Sequence, residues 1–138
     1  MKLIALFLIS FVFAVSSDVF AHGEDKMGPH GGYIRMPGAF HTELVPAGDN
    51  AFKVYLLDMQ WKNASVKNSK LKLSLQSKRT WVAACAAESD YFLCKFKPDP
   101  GLSLNGELVV EAVRDGQVGK AMSYPLPLKL DAPSHSGH

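Results

Sequence analysis

No stretch of the chain repeats apolar residues at a sustained spacing of three to four, so nothing points to amphipathic helices or a helical bundle. Three catalytic signatures are also missing: the Gly-x-Ser-x-Gly nucleophile elbow, the phosphate-cradling glycine loop and the helix-borne His-Glu-x-x-His pair. Basic residues never gather into a dense stripe. The nearest cluster, "SKLKL" and "SKRT" within residues 69–80, interleaves lysines with apolar residues and reads as solvent-facing strand positions, so no nucleic-acid footprint is present. Acids and bases are otherwise scattered and leave a formal net charge of +2. Asp58, Glu88, Asp90 and Glu111 show no pairing of the kind acid–base catalysis uses, and the chain is expected not to be an enzyme.

Long apolar runs are equally scarce. The one that exists, "LIALFLISFVFAV" at residues 3–15, follows Lys2 and precedes "VFA", with Val19 and Ala21 at the positions a signal peptidase reads. It is too short to span a bilayer comfortably, and no second run follows. Residues 1–21 are therefore read as a signal peptide. Cleavage after Ala21 predicts a periplasmic or secreted chain that starts at His22 and has no membrane attachment. Removing 21 of 138 residues leaves 117, enough for one domain that buries about two thirds of its unfolded surface.

Only two cysteines are present, Cys85 and Cys94, flanking "AAESDYFL" with a turn signal at Glu88-Ser89-Asp90. In an exported protein this spacing favours a disulfide across a hairpin, which contributes about 2 to 3 kcal/mol in the chain-entropy model. A thiolate metal site is the rival reading.

What the chain does contain is short alternating strands. "FKVYLLDMQW", "KLKLSLQ", "TWVAACA", "YFLCKF", "GELVVEAVR" and "KAMSYPLPLKL" recur every ten to fifteen residues with turn residues between them. This pattern predicts an all-β domain, a small immunoglobulin-like antiparallel β-sandwich over residues 32–130, with a small barrel as the alternative. Pro125 and Pro127 cannot donate ladder hydrogen bonds, so the last strand is expected at an edge. Residues 22–31 form a His- and Gly-containing leader and residues 131–138 a polar tail carrying His135 and His138. Trp61 and Trp81 are expected to anchor the core.

The leader and first hairpin concentrate the chemistry. "HGEDKMGPHGGYIRMPGAFHTEL" holds His22, His30 and His41, with Met27, Met36 and Glu43. Pro37-Gly38 is a turn signal. With a two-residue loop, Ile34 faces His41, Gly32 faces Glu43 and His30 faces Val45. Tyr33, Phe40 and Leu44 then share the core-directed face, while His41, Glu43, Met36 and His30 share the other. Gly31 and Gly32 leave room beside Glu43. Imidazoles suit zinc and Cu(II), thioether sulfur suits Cu(I), and a carboxylate hardens the set, so copper or zinc is the expected ion. A mature His22 also offers its α-amino group and ring nitrogen to one ion, which admits a copper-brace reading with oxygen chemistry.

"GPHGGYI" followed by "GAFHTELV" (residues 28–45) resembles a segment near the start of periplasmic adaptor subunits of heavy-metal efflux pumps. The resemblance implies a metal-handling role for His30, Gly31, Gly32, Phe40, Glu43 and Leu44, and a metal-efflux protein as partner. The chain is too short for the helical hairpin and further domains of such an adaptor, so it matches at most a detached leading domain. A mature N-terminal histidine on a β-sandwich is similar, more weakly, to periplasmic copper carriers. The expected function is metal buffering or delivery. The competing expectation is an exported structural or protein-interaction domain whose histidines are incidental.

Overall fold

A computed structural model describes residues 26–97 and 106–129. The segment read as a signal peptide, His22 and the tail with its two histidines lie outside the described residues. Among the described residues ten strands follow one another: β1 Tyr33–Arg35, β2 His41–Pro46, β3 Ala51–Leu57, β4 Lys70–Gln76, β5 Thr80–Val82, β6 Ala84–Glu88, β7 Tyr91–Lys95, β8 Glu107–Arg114, β9 Gln117–Val118 and β10 Met122–Pro125. They pair antiparallel in two sheets, β1-β2-β3-β7-β6 and β10-β8-β4-β5, with β9 extending β8. The domain is a two-sheet β-sandwich, as the alternating strands predict.

Alternation is what closes it. In β4, Leu71, Leu73 and Leu75 turn inward while Lys70, Lys72 and Gln76 stay exposed. β8 answers with Leu108, Val110 and Ala112. The other sheet contributes Leu44 from β2, Phe52, Val54 and Leu56 from β3, and Phe92 from β7, with Phe40 entering from the loop before β2. Each large side chain buried in this way contributes about 1.5 to 3 kcal/mol.

Three particular joints fix the strands, the first within one sheet and the other two between the layers. Cys85 and Cys94 stand directly opposite each other on β6 and β7 and form the expected disulfide. The chain crosses from one sheet to the other at Ala83, whose N–H donates to Leu73 O at 2.9 Å. Tyr124 of β10 reaches across the interior to Thr42 of β2, hydroxyl to hydroxyl at 2.8 Å, with both residues fully buried. β10 is an edge strand, as Pro125 requires.

The first hairpin departs from the two-residue turn. β1 pairs with β2 as Arg35↔Thr42, Ile34↔Glu43 and Tyr33↔Leu44, which leaves six residues in the connection. The reason is packing at the far side of the loop. Phe40 is fully buried in the core, Pro37 O accepts the Lys120 N–H at 2.9 Å, and both side chains press on Gly119, where a Cβ would collide with them. Because the register moves by two residues, the side chains that remain paired keep their expected faces, while Met36 and Ala39 pass into the connection. Trp81 packs against the core as expected, under the Arg79 guanidinium. Trp61 joins a separate cluster on the outer face of the first sheet.

The Tyr124–Thr42 bond is a buried polar link between sheets, so its loss has a defined effect. Tyr124→Phe is expected to lower unfolding free energy by about 1 to 2 kcal/mol, because Thr42 keeps a desolvated hydroxyl without this partner. Urea denaturation should show a lower midpoint with an unchanged slope.

Candidate functional site

The outer face of the first sheet carries its own small core, Ile34, Tyr55 and Leu57, with Val45, Trp61, Ala64 and Tyr91 packed around it. On this face His41 and Glu43 stand two residues apart on β2, opposite Leu57 and Tyr55 of β3. Two loops cover them: the end of the leader, residues 26–32, and the turn after β3, residues 58–63.

Glu43 is fully buried, and a buried carboxylate is tolerated only when its oxygens are satisfied. The leader satisfies them. Oε2 accepts the backbone N–H of His30 at 2.8 Å and of Gly32 at 3.0 Å, while Oε1 accepts from His30 Nδ1 at 2.6 Å. The loop closes on itself through Gly28 N–H to Gly32 O at 2.8 Å and Gly31 N–H to Gly28 O at 3.0 Å. Two glycines are dictated by this approach. A Cβ on Gly28 would overlap the Glu43 carboxylate, and one on Gly32 would strike Leu44 O and the Val45 side chain. The room expected beside Gly32 is therefore taken up by the strand itself. Met27 bridges to Tyr33 and continues the strap along β1.

His30 is fixed from a second side as well. Its ring stacks on Tyr55, centroids 3.7 Å apart and planes within 4°. Burial, then the charge of Asp90, then Tyr91 and the charge of Glu43, push the Tyr55 phenol above its ordinary 10.0. Tyr55 thus stays neutral beneath the imidazole at physiological pH. The His30 side chain remains about one third exposed, at 35%, against 0% for Glu43.

His41 is buried and engages a different partner. Its Nδ1 donates to the carbonyl oxygen of Asp58 at 3.1 Å, and Trp61 meets its ring edge-on at 5.9 Å. Asp58 also organises the turn that carries Trp61. Its Oδ1 accepts from Gln60 N and Lys62 N, both at 2.9 Å, and its Oδ2 from Asn63 Nδ2 at 2.7 Å. Those bonds, led by the Lys62 N–H, hold the Asp58 carboxyl below its ordinary 3.8. Trp61 adopts a positive φ of 62°, which turns it back onto His41.

Of the expected ligands, the structure brings His30 and Glu43 together and places His41 on the same face with a separate partner. Met36 is exposed just beyond β1. Among the described residues no group of three or more His, Cys, Asp and Glu side chains is gathered around a point that would hold a metal ion. What the two histidines share is that Nδ1 is engaged by an oxygen of the fold, so Nε2 is the ring nitrogen left for an outside ligand. Tyr55, Asp58 and Gly28 escape the sequence reading. Asp58 carries only a partial signal, an aspartate able to accept backbone N–H groups in a turn, because Met59 to Lys62 are not turn-favouring residue types.

Compared with models of protein families, with curated proteins and with solved structures, the chain matches none.

If Gly28 and Glu43 serve one clasp, their substitutions cannot add. Gly28→Ala and Glu43→Ala should each destabilise the domain by about 3 kcal/mol, and the double variant should lose little more than either single one. A double-mutant cycle by chemical denaturation measures this coupling.

Proposed function

We propose that the protein is an exported β-sandwich that binds one copper or zinc ion through His30 Nε2 and serves to buffer the ion or pass it to a metal-efflux system. The observation that carries this reading is the chain of contacts Glu43 carboxylate, His30 Nδ1, exposed imidazole. Ligating histidines ordinarily donate their second ring nitrogen to a carboxylate or carbonyl, which fixes the tautomer, aims the ring and raises its basicity. Glu43 does this for His30, and Asp58 O does it for His41.

Glu43 then acts behind the ligand rather than on the ion, since all its donors come from the leader. His41 is the second imidazole on the same face, with Met36 and the amino-terminal His22 as further donors of the right softness for copper. The Cys85–Cys94 disulfide agrees with an oxidising compartment such as the periplasm. The likeness of residues 28–45 to the leading segment of efflux adaptors supplies the class of partner, and the immunoglobulin-like form of the sandwich belongs to the same reading.

A second reading has its own support. Saturation of Glu43 by three donors accounts for Gly28, His30 and Gly32 on folding grounds alone, which leaves an exported interaction domain without specific metal binding. One titration separates the two. The untagged chain beginning at His22 is titrated with Cu(I), Cu(II) and Zn(II) against competing chelators. Sub-micromolar binding of one ion per chain is expected, lost in His30→Ala and weakened by about 10- to 100-fold in Glu43→Gln. Affinity equal in wild type and His30→Ala, or no tighter than that of a peptide of residues 22–31, would leave the interaction domain as the answer.

A further inference from the structure

A sandwich built from open sheets has edges, and three of the four here are blunted. β1 has three residues and carries Met27 along it, β5 has three residues, and β10 contains Pro125. These are devices that keep a strand from pairing with a stranger. β6 has none of them. It is five residues long, "ACAAE", without proline or lysine, and Ala84, Ala86, Ala87 and Glu88 are all exposed. β7 lies on one side of it, and no other described strand lies on the other.

The hairpin fixes which groups that edge presents. β6 and β7 are joined by the two residues Ser89 and Asp90, so Glu88↔Tyr91 is the closing, hydrogen-bonded pair. Pairs then alternate. Glu88, Ala86 and Ala84 direct their N–H and C=O toward β7. Cys85 and Ala87 direct theirs outward, to the open edge, and the cysteine pair falls at a non-hydrogen-bonded position where the disulfide fits. Two residues thus offer two donors and two acceptors in a row, and their neighbours Ala84 and Ala86 carry only methyl side chains.

From this edge we infer that two copies of the chain pair antiparallel through β6, with Ala86 on the two-fold axis. In this register Cys85 lies opposite the partner's Ala87 and Ala87 opposite the partner's Cys85. Those are the residues whose backbone groups point outward, so four inter-chain hydrogen bonds form and the two first sheets become one continuous sheet. An isologous contact of this kind closes as a dimer and leaves no new edge.

The side chains fit the same register. Within the chain Ala84 pairs with Lys95, and Glu88 with Tyr91. Across the axis Ala84 stands opposite the partner's Glu88, so Lys95 and the partner's Glu88 lie on one face with only the Ala84 methyl between them. Strands two apart are separated by about 10 Å, which a lysine and a glutamate extended toward each other can close once the Glu88 carboxylate leaves the Tyr91 hydroxyl that donates to it at 3.2 Å within the chain. The operation generates this pair twice. At the axis the two Ala86 methyls meet beside the half-buried Leu93 and its symmetry mate, which adds apolar contact at the centre. Any other antiparallel register of β6 on itself separates Lys95 from the partner's Glu88.

Sedimentation equilibrium of the exported chain over the micromolar to millimolar range tests the pairing. A reversible monomer–dimer equilibrium is expected. Glu88→Lys should raise the dissociation constant about three- to tenfold, because two attractive pairs become repulsive, and adding Lys95→Glu to it should restore the original value. Ala87→Pro should abolish the dimer by removing an outward N–H while leaving the β6–β7 ladder intact, with the circular dichroism spectrum and the disulfide serving as checks on folding. A chain that stays monomeric throughout would overturn the inference. So would a dimer that Glu88→Lys does not weaken and the charge reversal does not rescue, an outcome that is independent of whether Ala87→Pro folds.

Discussion

A carboxylate with no access to water needs donors on every side, and in this protein the leader around Glu43 is shaped by that requirement. Glu43 is presented by a strand whose alternate residues, Thr42 and Leu44, face the core, so its own side chain is committed to the outer face. On an exposed face a glutamate would simply be solvated. Here the leader folds over it and replaces water with the N–H groups of His30 and Gly32 and the His30 ring. Stripping the strap away would leave either a solvated carboxylate and a frayed leader, or a buried charge without partners. Only the first is affordable, so the clasp couples burial of Glu43 to the placement of residues 28–32.

That coupling explains why chemistry-bearing side chains collect where a packed sandwich needs none. The interior between the sheets is apolar apart from the Tyr124–Thr42 bond and is complete without the leader. The outer cluster of Ile34, Tyr55 and Leu57 requires a cover, and its two covers each bring a ring against the sheet, His30 stacked on Tyr55 and Trp61 edge-on to His41. Each histidine is oriented by an oxygen of the fold. Orientation of this kind is useful to a protein that must offer an imidazole to an ion, and equally useful to a loop that must stay closed. The distinction lies in what Nε2 does.

Much of the fold is legible from residue alternation. β4 coincides with "KLKLSLQ", β7 falls within "YFLCKF", and the edge position of β10 agrees with its prolines, whereas the run "TWVAACA" is split at Ala83 into β5 and β6 of different sheets. The first hairpin shows what pattern resolves and what it does not. Side-chain period fixes the face of Glu43 and Phe40, and a register that moves by two preserves it, but the length of the connection is decided by Pro37 and Phe40 meeting Gly119, about eighty residues away. The clasp is half legible: the spacing of His30, Gly32 and Glu43 draws attention to the right residues. The contact of Gly28 with the carboxylate is non-local and silent in the sequence. Trp61 is misplaced by the strand pattern because the Asx turn at Asp58 ends β3 early and reverses the direction of the indole.

The clasp is most directly tested by amide hydrogen exchange at His30 and Gly32, two loop residues outside every strand. With their N–H groups donated to a buried carboxylate, both should exchange about as slowly as the flanking amides of β2, and both should become fast together in Glu43→Ala while the core strands stay protected. Rapid exchange at both positions in the wild-type protein would contradict the account and return Glu43 to solvent.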